Sequence, residues 1–129
     1  MKILHVVLLV AAWLPCFGQS TNDSLAIVKR INELFDGMRT ADTAKITNMF
    51  HDDLIMHTAG SKDGKNVLQK GEVRRFLNQV ALPHDEIYDE RISNLKIRLN
   101  SNIAQAWMDY EFYLGEQRLH CGVNAMQFA

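Results

Sequence analysis

The sequence predicts an α+β domain, and three observations carry that reading. Apolar residues recur every three or four positions from Leu25 to Met38 and again from Val73 to Ala81, as on amphipathic helices. From Leu95 onward they alternate with charged residues, as on half-buried strands. The helical patterns come first and the strand patterns last, which places helices against one side of an antiparallel meander.

The chain opens with Met1-Lys2, an apolar run from Ile3 to Leu14, then Pro15-Cys16-Phe17-Gly18-Gln19. A basic start, a short apolar stretch and small residues beside a cut site read as an export signal over 1–18, with 19–129 as one domain. The run is shorter than the roughly 20 residues that span a bilayer, so no membrane span is expected after cleavage. The domain is then expected to be secreted or periplasmic. Acylation of Cys16, as in a lipoprotein, is the weaker alternative because Pro15 precedes it. Cleavage leaves Cys121 as the sole cysteine, read as a small buried hydrophobe, so an internal disulfide is not available. With 14 basic against 15 acidic residues, the chain lacks the electrostatic footprint of a nucleic-acid binder.

The first helix carries Leu25, Val28, Ile31, Leu34, Phe35 and Met38, with Asn22, Asp23 or Ser24 as its N-cap. Thr40-Ala41-Asp42 breaks it, and Asp42 caps a second helix bearing Ala44, Ile46, Met49 and Phe50. Asp53 to Thr58 reads as a strand, and Ala59 to Lys65, with Gly60 and Gly64, as a loop. A third helix is predicted near Lys70 to Ala81, stopped by Pro83. Leu95, Ile97 and Leu99 mark the next strand. Asn100-Ser101-Asn102 turns into a strand from Ile103 to Leu114. Gly115-Glu116 makes a two-residue hairpin of type II′, and a last strand runs on from Gln117.

This order of elements resembles that of the NTF2-like superfamily. Met49-Phe50-His51-Asp52-Asp53-Leu54 resembles that family's passage from helix two to strand one. Trp107-Met108-Asp109-Tyr110-Glu111-Phe112 resembles its central strand, and Gly115 to Gly122 resembles a hairpin of its SnoaL-like members. The resemblance implies a cone: three N-terminal helices packed on a curved antiparallel sheet around an apolar pocket. It also implies frequent pairing into homodimers. Family members continue past the strand that ends here at Ala129 into a last strand bearing a tryptophan. The expectation is therefore a fragment, or a sheet with a missing last strand and an exposed edge.

Function in such a cone rests on a few polar groups inside it. Met108, Tyr110, Phe112 and Leu114 form the more apolar face of their strand and are assigned inward; Asp109, Glu111 and Tyr113 then face out. Tyr110 either donates its phenol hydrogen to a ligand or packs and bonds a backbone carbonyl. His57 and His120 are the other candidate pocket groups, each a potential base near neutral pH or a surface histidine. Asp53 and Asp109 fall in no motif alignable with a catalytic acid. His51, Asp52, Asp53 and His57 do not have the spacing of a metal site. The expected function is binding of a small apolar molecule without a cofactor. The alternatives are cofactor-free acid–base catalysis (an isomerase, dehydratase or hydrolase) and a non-catalytic dimerising module.

Overall fold

The computed structural model of the chain describes residues 21–129, so the export signal read at 1–18 lies outside the described residues. Helix α1 (Thr21–Arg39) buries one stripe, Ile27, Ile31, Phe35 and Met38. Leu25, predicted to join it, is exposed. Asn22, Asp23 and Ser24 lie inside the helix rather than capping it, because the helix starts at least a turn before its apolar stripe. Asp23 there still suits the positive end of the helix dipole, and Arg39 suits the negative end.

Helix α2 (Thr43–Thr47) is a short turn of helix. The Asp42 side chain accepts the Lys45 N–H at 2.9 Å and caps it as expected. Met49 and Phe50 fall beyond its end, held by N–H bonds back to the carbonyls of Ile46 and Thr47. Ile46 is fully buried, and α1 makes room for it with Gly37, where an added Cβ would lie 2.7 Å from Ile46 Cγ1.

The stretch predicted as a loop is a hairpin. Strands β1 (Met56–Lys62) and β2 (Lys65–Gly71) form a separate two-stranded antiparallel sheet. Asp63 and Gly64 connect them with φ of 52° and 73°. Two successive positive φ values are the mark of a type I′ turn, for which Asp-Gly is a preferred pair. The third helix, α3 (Val73–Ala81), consequently starts later than predicted, since Lys70 and Gly71 belong to β2.

Strands β3 (Tyr88–Asn100), β4 (Ile103–Leu114) and β5 (Gln117–Phe128) form the main sheet in the order β3-β4-β5. Gly115 has φ 59° and opens the predicted hairpin. On β4, Ala104, Ala106 and Met108 are buried against the helices, and Trp107 lies half exposed on the opposite face. The small alanines let the helical layer approach the sheet closely. Among the described residues no helix is long and apolar enough to cross a membrane.

β3 is longer than the predicted strand and contains a bulge. Ser93 pairs with Asp109 and Lys96 with Trp107, so Asn94 and Leu95 together oppose Met108. Asn94 takes φ 52° there. A bulge of this kind reverses the parity of the strand. Leu95, Ile97 and Leu99 face the helices on one side of it, and Tyr88, Glu90 and Ile92 do so on the other.

Candidate functional site

Cross-strand register assembles the inner face at the end of the sheet beyond Met108. Glu90, Phe112 and His120 form one row; Ile92, Tyr110 and Gly122 form the next; Met108 and Asn124 begin the third. Side chains directly opposite one another on neighbouring strands share a face, so these groups all project to the helical side.

Aromatic rings line this face. The Tyr110 ring meets His120 edge-on at 5.7 Å between centroids, His120 stacks on Phe112 at 5.0 Å, and Phe112 meets Tyr88 at 5.7 Å. His84, in the α3–β3 connection, stacks on Tyr88 at 3.9 Å. Gly122 is required by this packing. A Cβ on it would fall 2.9 Å from Tyr110 Cε1 and 3.1 Å from the phenol oxygen, so the Tyr110 ring lies across the bare backbone of β5.

The polar centre of the face is Glu90. Asn124 donates Nδ2–H to its Oε1 at 2.5 Å. These residues sit on the two outer strands, two rows apart. Two strand spacings alone are about 10 Å in a flat sheet, so the bond closes only because the sheet coils. The link therefore spans a concave cradle with Tyr110 on its floor. Burial pushes the Glu90 carboxyl above the usual carboxylate range, an effect the Asn124 hydrogen bond partly opposes. Burial also raises the Tyr110 phenol, with the nearby Glu90 charge and then Cys121 adding to it.

The cradle is open along β5. His120 and Gly122 are exposed, while Tyr88, Glu90, Tyr110 and Phe112 are half-buried. Two shallow depressions lie elsewhere. One of about 400 Å³ runs along α3 past Glu72, Arg75 and Leu82, and one of about 280 Å³ lies at the bulge beside Asn94 and Trp107. The cradle is recognised by its register and chemistry, and its walls leave it open on the β5 side.

Of the groups predicted for the pocket, Tyr110 and His120 come together and His57 does not. His57 is exposed on β1, opposite Lys70. The reason is that its strand pairs only within the hairpin and not with the three-stranded sheet. Glu90 and its partner Asn124 complete the site. Asp109 faces out as its parity required and accepts from Asn94 at 2.7 Å. His51 Nδ1 accepts the Asp53 N–H in a local turn. Among the described residues, no three His, Cys, Asp or Glu side chains converge as a metal centre needs. Cys121, predicted buried, is exposed on the edge strand, since the face of β5 that carries it packs against nothing.

The outer face of the sheet is a charge ladder at one end. Arg39 bonds Asp36 and Asp89, Arg91 bonds Asp89 and lies 3.9 Å above the Tyr113 ring, and Arg118 bonds Glu111. At the other end Ile103, Trp107 and Val123 are exposed.

No family model matches the sequence, and no curated protein matches it. Solved structures do. A proposed dehydratase of the NTF2-like family from Streptomyces avermitilis is 10% identical, with a TM-score of 0.55 over 84% of this chain and 86% of its own. An NTF2-like protein of unknown function from Shewanella baltica is 14% identical, with a TM-score of 0.53 over 85% of this chain and 98% of its own. The chain therefore has the NTF2-like fold, with helices packed against antiparallel sheet.

Proposed function

We propose that this chain is an exported, SnoaL-like domain that binds a small, largely apolar molecule in the cradle of its three-stranded sheet. The observation that carries the reading is the wall of Tyr88, Tyr110 and Phe112 around the half-buried Glu90. Apolar surface with a few convergent polar groups is the usual composition of a small-molecule site. Export rests on the signal read at 1–18. The neutral dye N-phenyl-1-naphthylamine, which brightens in apolar surroundings, tests the cradle. Bound dye is expected with the wild type and with His57→Ala, and binding weakened several-fold by Phe112→Ala. Equal binding by all three proteins, or none by any, overturns the reading.

Glu90 also favours a second reading, acid–base catalysis. A carboxyl raised toward neutrality is a suitable general base, and one structural neighbour is a proposed dehydratase. Glu90 would take the proton beside the carbonyl of a β-hydroxy ketone while Tyr110 donates to the carbonyl oxygen. The hydroxyl would leave as water with that proton. Water loss from such ketones, abolished in Glu90→Gln, is the expected result. Wild-type rates no faster than the uncatalysed reaction remove the catalytic reading.

A further inference from the structure

Four acids of the outer face and of α1 have cationic partners. Asp89 has Arg39 and Arg91, Glu111 has Arg118, Asp36 has Arg39, and Glu33 has Lys29 and Arg30. Glu90, half-buried like Asp89 and Glu111, is held only by the neutral amide of Asn124. Its register neighbours on the inner face are Ile92, Tyr110, Phe112, His120 and Asn124, with no lysine or arginine among them. Among the described residues Glu90 makes no ion pair. A buried carboxylate without a countercharge is costly, and a ligand that brings the missing charge recovers that cost on binding.

The surroundings of Glu90 fit such a ligand. Phe112 is the cross-strand partner of Glu90, Tyr110 lies one row on, and Tyr88 packs on Phe112 at 5.7 Å between centroids, so three rings lie close to the carboxylate. The negative face of an aromatic ring attracts a cation within about 6 Å of its centroid, and rings grouped with a carboxylate recognise ammonium groups. The Tyr110 hydroxyl has no hydrogen-bond partner among the described residues, and burial first, then the Glu90 charge, raise its pKa. The unbonded Tyr110 phenol and the Glu90 carboxylate, which accepts from Asn124 alone, thus share the inner face of the coiled sheet. We propose that the cradle takes a small organic cation, an amine or quaternary ammonium on an apolar body, with the positive charge at Glu90 and the body against Tyr110 and Phe112.

This inference rests on the cradle being a binding site, and the experiment separates the two. Isothermal titration of the purified protein at neutral pH compares benzyltrimethylammonium with the neutral benzyl alcohol. The cation is expected to bind at least about ten-fold tighter, equivalent to about 1.4 kcal/mol. Glu90→Gln should abolish that preference, weakening cation binding at least about ten-fold more than it changes the binding of benzyl alcohol. Asn124→Asp, in which the two carboxyls share one proton and keep a single negative charge, should retain the preference that Glu90→Gln loses. Equal binding of the two compounds, or preference for the alcohol, overturns the cationic class while leaving the cradle in place. Failure to bind either compound removes both readings.

Discussion

Ile46→Ala should lower the unfolding free energy by about 2–5 kcal/mol, the range for truncating a fully buried isoleucine. Urea denaturation reads this as a lower midpoint with an unchanged slope. Ile46 is the only buried residue of α2, whose span of Thr43–Thr47 is too short for a stable helix on its own. Its burial against α1 is what fixes that element. Gly37→Ala approaches the same contact from the other side. Alanine adds about 1 kcal/mol of helix propensity, but its Cβ would sit 2.7 Å from Ile46 Cγ1 and 3.2 Å from the Asp42 carbonyl oxygen. Overpacking costs about 1–3 kcal/mol, and the backbone carbonyl has little room to yield, so the substitution destabilises. The double variant should cost less than the sum of the two, since the new methyl group enters the space that Ile46 vacates. Strict additivity would show that Gly37 and Ile46 are not in contact.

Glu90→Gln should have the opposite effect, raising the thermal midpoint at neutral pH. Burial raises the Glu90 pKa and the Asn124 hydrogen bond only partly offsets it. A carboxyl whose pKa is higher in the folded state binds more protons when folded. Its contribution to stability is fully present below the unfolded value, about 4.3, and is lost as pH rises through the folded pKa. Glutamine mimics the protonated form at every pH. The two melting curves should therefore converge in acid and separate toward neutrality, with each kcal/mol recovered worth about 4–8 °C. The titratable groups on the same face as Glu90 are Tyr88, Tyr110 and His120, with His84 stacked on Tyr88. Equal midpoints at neutral pH, or a less stable variant there, would refute the unpaired burial of this carboxylate. The adjacent Asp89 obeys the reverse sign. Arg91 foremost, and Arg39, depress its pKa despite some desolvation, so its contribution disappears as pH falls.

Much of this fold is legible in the sequence because its signals are local. The α1 stripe, the Asp42 cap, the Ile103–Leu114 strand and the Gly115 turn each follow from a few neighbouring residues. The strand read at Asp53 to Thr58 catches only the start of β1, and the rest of the β1–β2 hairpin escapes because almost every side chain on it is exposed, leaving no apolar alternation to read. Its one clear signal is Asp63-Gly64, which the surrounding polar residues disguise as a loop. The site is harder still. Tyr110 and His120 are visible from strand parity, but Glu90 is not. Counting by twos back from Leu95 assigns Arg91 inward and Glu90 outward, and the bulge at Asn94 reverses that assignment. The positive φ that permits it falls on an asparagine, a residue that tolerates such geometry without announcing it. Nor does any spacing rule pair Glu90 with Asn124, because their contact depends on the coiling of the whole sheet.

The bulge in β3 also divides the sheet into two regions with different freedom to vary. Ahead of the helices, Ala104, Ala106 and Met108 are locked by packing, and changes there endanger folding. Beyond the bulge, the residues around Glu90 are half-open and carry little of the core. Losing one residue at Asn94 would turn the Glu90 end of β3 over and present Arg91 to the cradle. The helices would still pack on the same residues of β4. A change in chain length by a single residue is thus a route by which this scaffold exchanges an anionic site for a cationic one.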